Sequence, residues 1–192
     1  LHDTMWVVGH FHFTMASASF LAIFAGIYFW FPKMYGKMMD EKLGKVHFIF
    51  SIVFITLLFG GQLVAGYGGH QRRLFDPYQY TFLEHLLPLN RAVSHAAFAL
   101  AFGQIFSIIN FFKSMFAGKK ARDNPWNVGT LEWTVPSPPQ YHNFDAIPTV
   151  HRGPHEFANP DVKTALGRDF LYQDENLPPS LKEPEGALAQ LT

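Results

Sequence analysis

The chain has 192 residues, of which 15 are basic and 15 acidic, and it contains no cysteine. This balance argues against a nucleic-acid partner, which would need a concentrated basic face. The lack of cysteine excludes disulfides and thiolate metal sites.

Three long stretches carry no Asp, Glu, Lys or Arg: residues 5–31, 46–71 and 92–112. Each is at least as long as the roughly 20 residues that a helix needs to cross a bilayer core of about 30 Å. A buried helix of a soluble protein would instead keep a polar face. The sequence therefore predicts a membrane part, residues 1–120, with transmembrane helices at about 5–31, 45–66 and 90–117.

The first apolar stretch begins almost at Leu1, and no basic region precedes it as a signal peptide would require. We therefore interpret the stretch as a spanning helix and expect a processed product or a piece of something longer. Pro32 predicts the end of this helix, because proline interrupts the hydrogen-bond ladder of a helix interior.

Basic residues are unevenly distributed between the two sides of the predicted bundle. Three crossings place the first connection and the end of the third helix on one side. That side holds Lys33, Lys37, Lys42, Lys45, Lys113, Lys119, Lys120 and Arg122, and the other side holds Arg72, Arg73 and Arg91. Because Lys and Arg favour the cytoplasmic side, the sequence predicts an outer N-terminus and a tail in the cytoplasm or an equivalent compartment.

The last part of the chain, residues 121–192, is rich in proline. Ten of the thirteen prolines lie between residues 123 and 192. Segments such as PSPPQ and NLPPSLKEPEG favour extended polyproline structure over a packed core. We expect a tail that follows the surface or is partly disordered, and its sequence assigns no chemistry to it.

The stretch VVGHFHFTM, residues 7–15, places His10 and His12 inside the first helix. In an α-helix these side chains diverge by about 200°, whereas a pair for one zinc ion would be four residues apart. The spacing allows one ligand to each of two centres, and neutral imidazole is a usual axial ligand of haem iron. Gly9 and Ala16 leave room for a flat macrocycle beside His12. The alternative is that each histidine is hydrogen-bonded to a neighbouring helix.

Longer strings around these residues resemble one protein family. LHDTMWVVGHFHFTMASASFLAIFAGIYFWFP is similar to the tenth-helix region of subunit I of haem-copper oxidases, particularly cytochrome c oxidase. GKVHFIFSIVFITLLFGGQLVAGYGGHQRR resembles the eleventh helix with its paired arginines, and NPWNVGTLEWTVPSPPQYHNF the tail of bacterial members. The interval between the histidine and arginine pairs also matches, and the resemblance covers about residues 1–145.

The resemblance implies an all-α membrane protein whose three transmembrane helices are the last of a twelve-helix subunit I bundle, followed by the Pro-rich tail. The copper ligands, the second axial ligand of the low-spin haem and most proton-channel residues would lie in the missing part. We therefore expect the chain to be inactive alone, as a split subunit, a cleavage product or part of a longer protein.

The same resemblance assigns roles to the histidine and arginine pairs. His10 would be the catalytic proximal ligand of the high-spin haem, where oxygen binds, and His12 an axial ligand of the low-spin haem. Phe11 would lie on a short path between these two haems, expected to be of the a and a3 type. Arg72 and Arg73 would bind haem propionates, since guanidinium can donate two parallel hydrogen bonds to a carboxylate. The alternative is a pair of interfacial arginines that reach out to the headgroups.

His2 and Asp3 fall where the family holds a magnesium ion, completed by a carboxylate of subunit II. A small number of protein ligands suits this hard cation, which usually keeps several waters. The alternative is that Asp3 simply caps the first helix. One departure from the family is that His70 and Gln71 replace the usual Met-Pro before the arginines, which puts the local turn in doubt.

These assignments imply a respiratory terminal oxidase that reduces O₂ to water and pumps protons. Its partners would be the remainder of subunit I, subunits II and III, cytochrome c as electron donor, and membrane lipid. We expect the bacterial inner membrane, with the mitochondrial inner membrane as the alternative. Copper would be bound by the missing part of the subunit.

Three other functions stay open at this point. Quinol oxidases of the bo type share the HFH motif, but they usually carry His-Asn where this chain has His2 and Asp3. A non-catalytic two-haem membrane cytochrome would need a partner histidine at matching depth, for which His95 is the candidate. The chain could also be an assembly or scaffold subunit. His47, His85 and, outside the two-haem cytochrome alternative, His95 are interpreted as structural or interfacial.

Overall fold

The computed structural model of this chain describes residues 1–151, 153, 166–167 and 170–176. Within these residues the fold is all-α, with two isolated backbone bridges and no strand. Helix α1 covers Met5–Phe11, α2 Ser17–Tyr35, α3 Glu41–Tyr67 and α4 Leu87–Ala117. A π-helical segment, His12–Ala16, joins α1 to α2, and a 3₁₀ segment, Thr81–Leu86, leads into α4.

Three helical spans are long and apolar enough to cross a membrane: Met5–Tyr35, Glu41–Tyr67 and Thr81–Ala117. The predicted fold class, an all-α membrane protein with three spanning helices, is therefore confirmed. The spans are longer than a bilayer core of about 30 Å requires. Their ends therefore extend into the interfacial regions.

The expectation that Pro32 ends the first helix is wrong. Helix α2 continues through Pro32 to Tyr35, and the Gly36 amide still bonds to the Pro32 carbonyl at 2.8 Å. The helix ends at Gly36, whose φ of +65° is left-handed, as is common just after a helix. Phe31 is fully buried, and Pro32 is among the fully buried side chains. Packing at this point offsets the hydrogen bond that proline cannot donate.

The described residues form two compact units. The first comprises Leu1–Trp30 with Met38–Lys119, and the second comprises Phe31–Lys37 with the described residues from Lys120 onward. In the first unit, α3 packs on α4 through small residues. A side chain at Gly103 would contact the Cβ of Phe50 at 3.0 Å, and one at Gly61 would collide with Val93. Close approach through small residues is the usual packing of membrane helices.

Helix α1 lies against α3 at equally close range. A Cβ at Gly66 of α3 would overlap the backbone of Trp6 in α1. A Cβ at Gly9 of α1 would lie 2.9 Å from the Leu63 nitrogen and 2.9 Å from the Phe59 oxygen of α3. Glycine is required at both positions because backbone meets backbone there, and this contact holds the histidine pair beside α3.

The second unit has a core of its own. The ammonium of Lys33 donates to the carbonyls of Val135 (2.7 Å), Asp123 (3.2 Å) and Pro136 (3.4 Å) and lies 4.8 Å from the centre of the Trp133 ring. Trp133 itself is buried. The proline content predicted little packing for residues 121–151 and the short described segments after them. They are more packed than that, because the buried Lys33 ammonium holds the carbonyls around it. The remainder of the predicted tail lies outside the described residues.

Candidate functional site

Two predicted sites, distant in sequence, meet at the end of the first unit where α1 begins and α3 ends. The Thr4 and Gln71 backbones form an antiparallel bridge. The Arg72 amide donates to the Asp3 carbonyl at 3.0 Å, and the Met5 amide donates to the His70 carbonyl at 2.8 Å. The turn at residues 68–71, which the sequence left in doubt, therefore joins the start of α1 to the end of α3.

Side chains strengthen this connection. Arg72 donates from Nε to Asp3 Oδ1 at 2.9 Å, and its Nη2 donates to the same oxygen. This hydrogen bond and the charge of Arg72 hold the pKa of the Asp3 carboxyl below its usual range, with smaller contributions from His2 and Arg73. Asp3 is therefore a carboxylate at neutral pH, bound to one arginine of the predicted pair.

Asp3 is not the helix cap. The cap of α1 is Thr4, whose hydroxyl accepts from the Trp6 amide at 3.2 Å. Asp3 and Arg73 instead adopt left-handed backbone conformations, with φ of 59° and 65°. Such conformations cost about 1–3 kcal/mol each in non-glycine residues and concentrate at functional sites.

His2 adds a second potential metal donor. Its Nε2 lies 3.6 Å from Asp3 Oδ2, and both side chains are exposed. In the part of the chain that the structure describes, no group of three or more His, Cys, Asp or Glu residues could hold a metal ion. His2 and Asp3 are thus two neighbouring potential donors without a third one beside them among the described residues.

The His12 ring is held in an orientation suited to a ligand. Its Nδ1 donates to the Val8 carbonyl at 2.8 Å, which leaves the Nε2 lone pair available. A metal-bound histidine is commonly fixed through its other nitrogen in this way. The ring also stacks on Phe59 of α3, with centroids 5.4 Å apart and planes 25° apart.

His12 also begins the π-helical segment. The amide and hydroxyl of Ser17 both donate to the His12 carbonyl, the hydroxyl at 2.9 Å. This carbonyl thus accepts a bond from five residues ahead, which widens the helix for one turn. Single π turns inside α-helices are frequent at functional sites, and the sequence offered no signal for this one.

His10 points to a different neighbour. Its exposed ring stacks on Trp6 one turn earlier in α1, with centroids 5.0 Å apart and planes 9° apart. The two histidines therefore contact different aromatic partners, Trp6 for His10 and Phe59 for His12.

His47 forms hydrogen bonds to two neighbouring helices. This agrees with its interpretation as a structural histidine in the sequence analysis. This buried ring donates from Nε2 to Gln104 Oε1 at 2.8 Å and has Tyr28 OH 3.3 Å from Nδ1. Gln104 in turn donates to Ser51 at 3.4 Å. His47 and Ser51 lie four residues apart in α3, which is the signal that could have predicted a shared polar face.

A second polar cluster, which sequence reasoning missed, lies where α3 begins. Asp40 caps α3, its amide donates to Asn110 Oδ1 at 2.9 Å, and Lys113 donates to Asp40 Oδ2 at 2.8 Å. The hydrogen bond from Lys113 is the main cause that lowers the Asp40 pKa. The cluster joins the first connection to α4.

Comparison with known proteins shows the family of the chain. Residues 1–99 match the family model described as cytochrome c and quinol oxidase polypeptide I. The chain belongs to this family. The resemblance seen in the sequence is therefore confirmed.

Individual relatives extend the match beyond residue 99. The chain is 42% identical over 157 residues to a cytochrome c oxidase subunit 1 of Synechocystis sp., which covers 82% of this chain and 28% of that protein. It is 40% identical over 159 residues to a cytochrome c oxidase subunit 1 of Thermostichus vulcanus, with the same two coverages. An alternative cytochrome c oxidase subunit 1 of Bradyrhizobium diazoefficiens is 34% identical over 191 residues, covering 98% of this chain and 31% of that protein. The chain thus spans less than a third of the length of these curated relatives.

Proposed function

We propose that the chain is part of the catalytic subunit of a respiratory terminal oxidase of the cytochrome c oxidase type. In this proposal the complete complex reduces O₂ to water and couples the reaction to proton pumping. The observation that carries the proposal is the orientation of His12, whose Nδ1 is bound to the Val8 carbonyl so that Nε2 is available to a metal. His10 lies two residues away with a different aromatic partner.

His12 would be an axial ligand of the low-spin haem and His10 the proximal ligand of the high-spin haem. When bound, the haems, of the a and a3 type, and the copper supply the electron transfer and oxygen chemistry. The Val8 carbonyl orients the His12 ring and raises the basicity of its Nε2. Phe11 lies between the two ligands, so the helix backbone itself connects them.

Arg72 and Arg73 would hold the haem propionates by charge-assisted hydrogen bonds. Asp3 supports this role because it orients the Arg72 guanidinium through Nε and Nη2. The free Oδ2 of Asp3 and the His2 imidazole would bind magnesium, completed by subunit II. The ion pair would therefore connect the propionate and magnesium sites.

The remaining assignments follow from family membership. The rest of subunit I would supply copper ligands and the second axial ligand, and subunits II and III would complete the complex. His2 and Asp3 favour cytochrome c over quinol as electron donor. The complex would lie in the bacterial inner membrane, with the chain's N-terminus outside and its tail in the cytoplasm.

The test is an optical spectrum, reduced minus oxidised and then with carbon monoxide, of the purified complex containing this chain. We expect His12→Ala to remove the low-spin haem signal and His10→Ala to remove the CO-binding signal. The matched control is His85→Ala. His85 is an exposed histidine on the outer side of the predicted bundle, and this variant should keep both signals. If both ligand variants kept both signals in an intact complex, the ligand assignment would be wrong.

A further inference from the structure

His10, the proposed ligand of the high-spin haem, is exposed on α1 and has an indole ring against one face of its imidazole. Trp6 lies four residues earlier, one turn along the same face of the helix. The two ring centres are 5.0 Å apart, within the range of about 4.5–7 Å that offset-stacked aromatic pairs show. The planes are 9° from parallel, so the imidazole plane follows the indole plane.

A histidine side chain does not fix its ring plane by itself. The last torsion, which turns the ring about the Cβ–Cγ bond, has broad and roughly two-fold preferences. Without a neighbour, the His10 ring could therefore take a wide range of orientations. Turning the ring away from the plane of Trp6 gives up the stacked contact. The stack thus favours one ring plane over the others.

Trp6 is suited to support another side chain because its own backbone is held in place. Its amide donates to the Thr4 hydroxyl at 3.2 Å, and the preceding amide, that of Met5, donates to the His70 carbonyl at 2.8 Å. A Cβ at Gly66 of α3 would overlap the Trp6 backbone, so α1 and α3 touch at this residue. A support on a rigid, packed element holds a functional group more precisely than a loop residue does.

His12 is oriented in a related way by the residue at the same spacing. Its Nδ1 donates to the carbonyl of Val8, four residues earlier, and its ring stacks on Phe59. Trp6 has the same position relative to His10, and it contributes its ring. Groups that orient a metal ligand matter for the site, since replacing them commonly lowers metal affinity or activity about 10–100-fold.

We propose that Trp6 is a positioning residue for His10, whose imidazole it holds in the plane that ligation of the high-spin haem uses. The inference rests on the proposed ligand role of His10. A tryptophan that only stabilised the start of α1 would make the same contact within the helix. Its replacement would then leave the haem bands of the assembled complex unchanged, and this difference provides the test.

The experiment uses the intact complex and resonance Raman spectra of the reduced high-spin haem, whose iron–histidine stretching band reports on the ligand ring. Trp6→Leu should broaden this band and move it to lower frequency, because a ring that can turn bonds less well to the iron. Trp6→Phe keeps a ring that can stack and should retain the wild-type band. The matched control is Trp30→Leu, since Trp30 meets Phe29 edge-on near the other end of the same span.

A second measurement tests the stack without the covalent link to the backbone. In His10→Gly, free imidazole can take the place of the missing side chain, and its dissociation constant is read from the haem spectrum. One aromatic stack corresponds to a change in affinity of about two- to tenfold. Adding Trp6→Leu should raise the dissociation constant of imidazole by this factor, whereas adding Trp30→Leu should leave it unchanged.

Three results would overturn the inference. They are an unchanged iron–histidine band in assembled Trp6→Leu, or in Trp6→Met where the leucine variant does not assemble, an equal shift in Trp6→Phe, and an unchanged affinity for imidazole. If His10→Ala removes the CO-binding signal while Trp6→Leu changes nothing, only the role of Trp6 is wrong. If His10→Ala keeps that signal, the ligand role of His10 is wrong and the inference falls with it.

Discussion

Replacing Gly9 by alanine should separate α1 from α3 and disturb the histidine pair. The new Cβ would lie 2.9 Å from both the Leu63 nitrogen and the Phe59 oxygen. Non-bonded heavy atoms prefer about 3.5–4.0 Å, so the helices must move apart by about 0.6 Å. Both contacts are backbone atoms, so no side-chain rotation can relieve them.

The energetic cost follows from two opposing effects. Overpacking costs about 1–3 kcal/mol, and alanine returns about 1 kcal/mol of helix propensity. We expect a net loss of up to about 2 kcal/mol, together with a shifted low-spin haem band, because Phe59 stacks on His12.

The measurement is thermal unfolding of the complex, monitored both by circular dichroism and by the haem absorption band. Gly60→Ala is the matched control, since a Cβ there would meet nothing within 4 Å. This variant should be unchanged or slightly more stable. If Gly9→Ala unfolded at the same temperature as Gly60→Ala and kept its haem band, our account of the α1–α3 contact would be refuted. A loss of stability without a haem shift would refute only the expectation that the disturbance reaches His12 through Phe59.

Three further predictions follow from individual contacts. Arg72 lowers the pKa of Asp3 in the folded state. The stability that this pair contributes should therefore be present above the pKa of Asp3 in the unfolded chain and be lost as the pH falls through its folded-state pKa. Asp3→Asn should reduce this acid dependence in unfolding scans, and an unchanged dependence would contradict the pairing. Lys33→Met should leave buried carbonyls without a donor and should therefore speed proteolysis near Trp133, compared with the exposed control Lys119→Met. Equal rates of proteolysis would show that Lys33 does not hold these carbonyls together. His47→Phe should cost about 1–3 kcal/mol by leaving the oxygen of the half-buried Gln104 unpaired, and a neutral effect on thermal unfolding would show that water satisfies it.

The family and the spanning helices could be predicted from the sequence because both depend on local patterns. Charge-free stretches longer than a bilayer core are visible in composition alone. The HFH spacing, read with Arg72 and Arg73, identified the family that residues 1–99 match. The divergence of His10 and His12 follows from helix geometry, since the chain is still α-helical up to Phe11.

Local patterns failed where distant residues decide the structure. Pro32 is a helix breaker by its own chemistry, yet α2 continues through it because Phe31 and its neighbours are buried. Proline content predicted a tail without a core, but the Lys33 ammonium donates to three carbonyls of residues that lie 90 to 103 positions later in the chain.

By itself, the sequence determined the membrane class, the helix count, the family and the identity of the candidate ligands. Only the tertiary structure decided that Asp3 pairs with Arg72 and that the Val8 carbonyl orients His12 beside Phe59. The physical reason is that composition and periodicity describe one segment at a time. Hydrogen bonds, ring stacking and cavities depend instead on how closely two segments approach, and small residues such as Gly9 set that distance here.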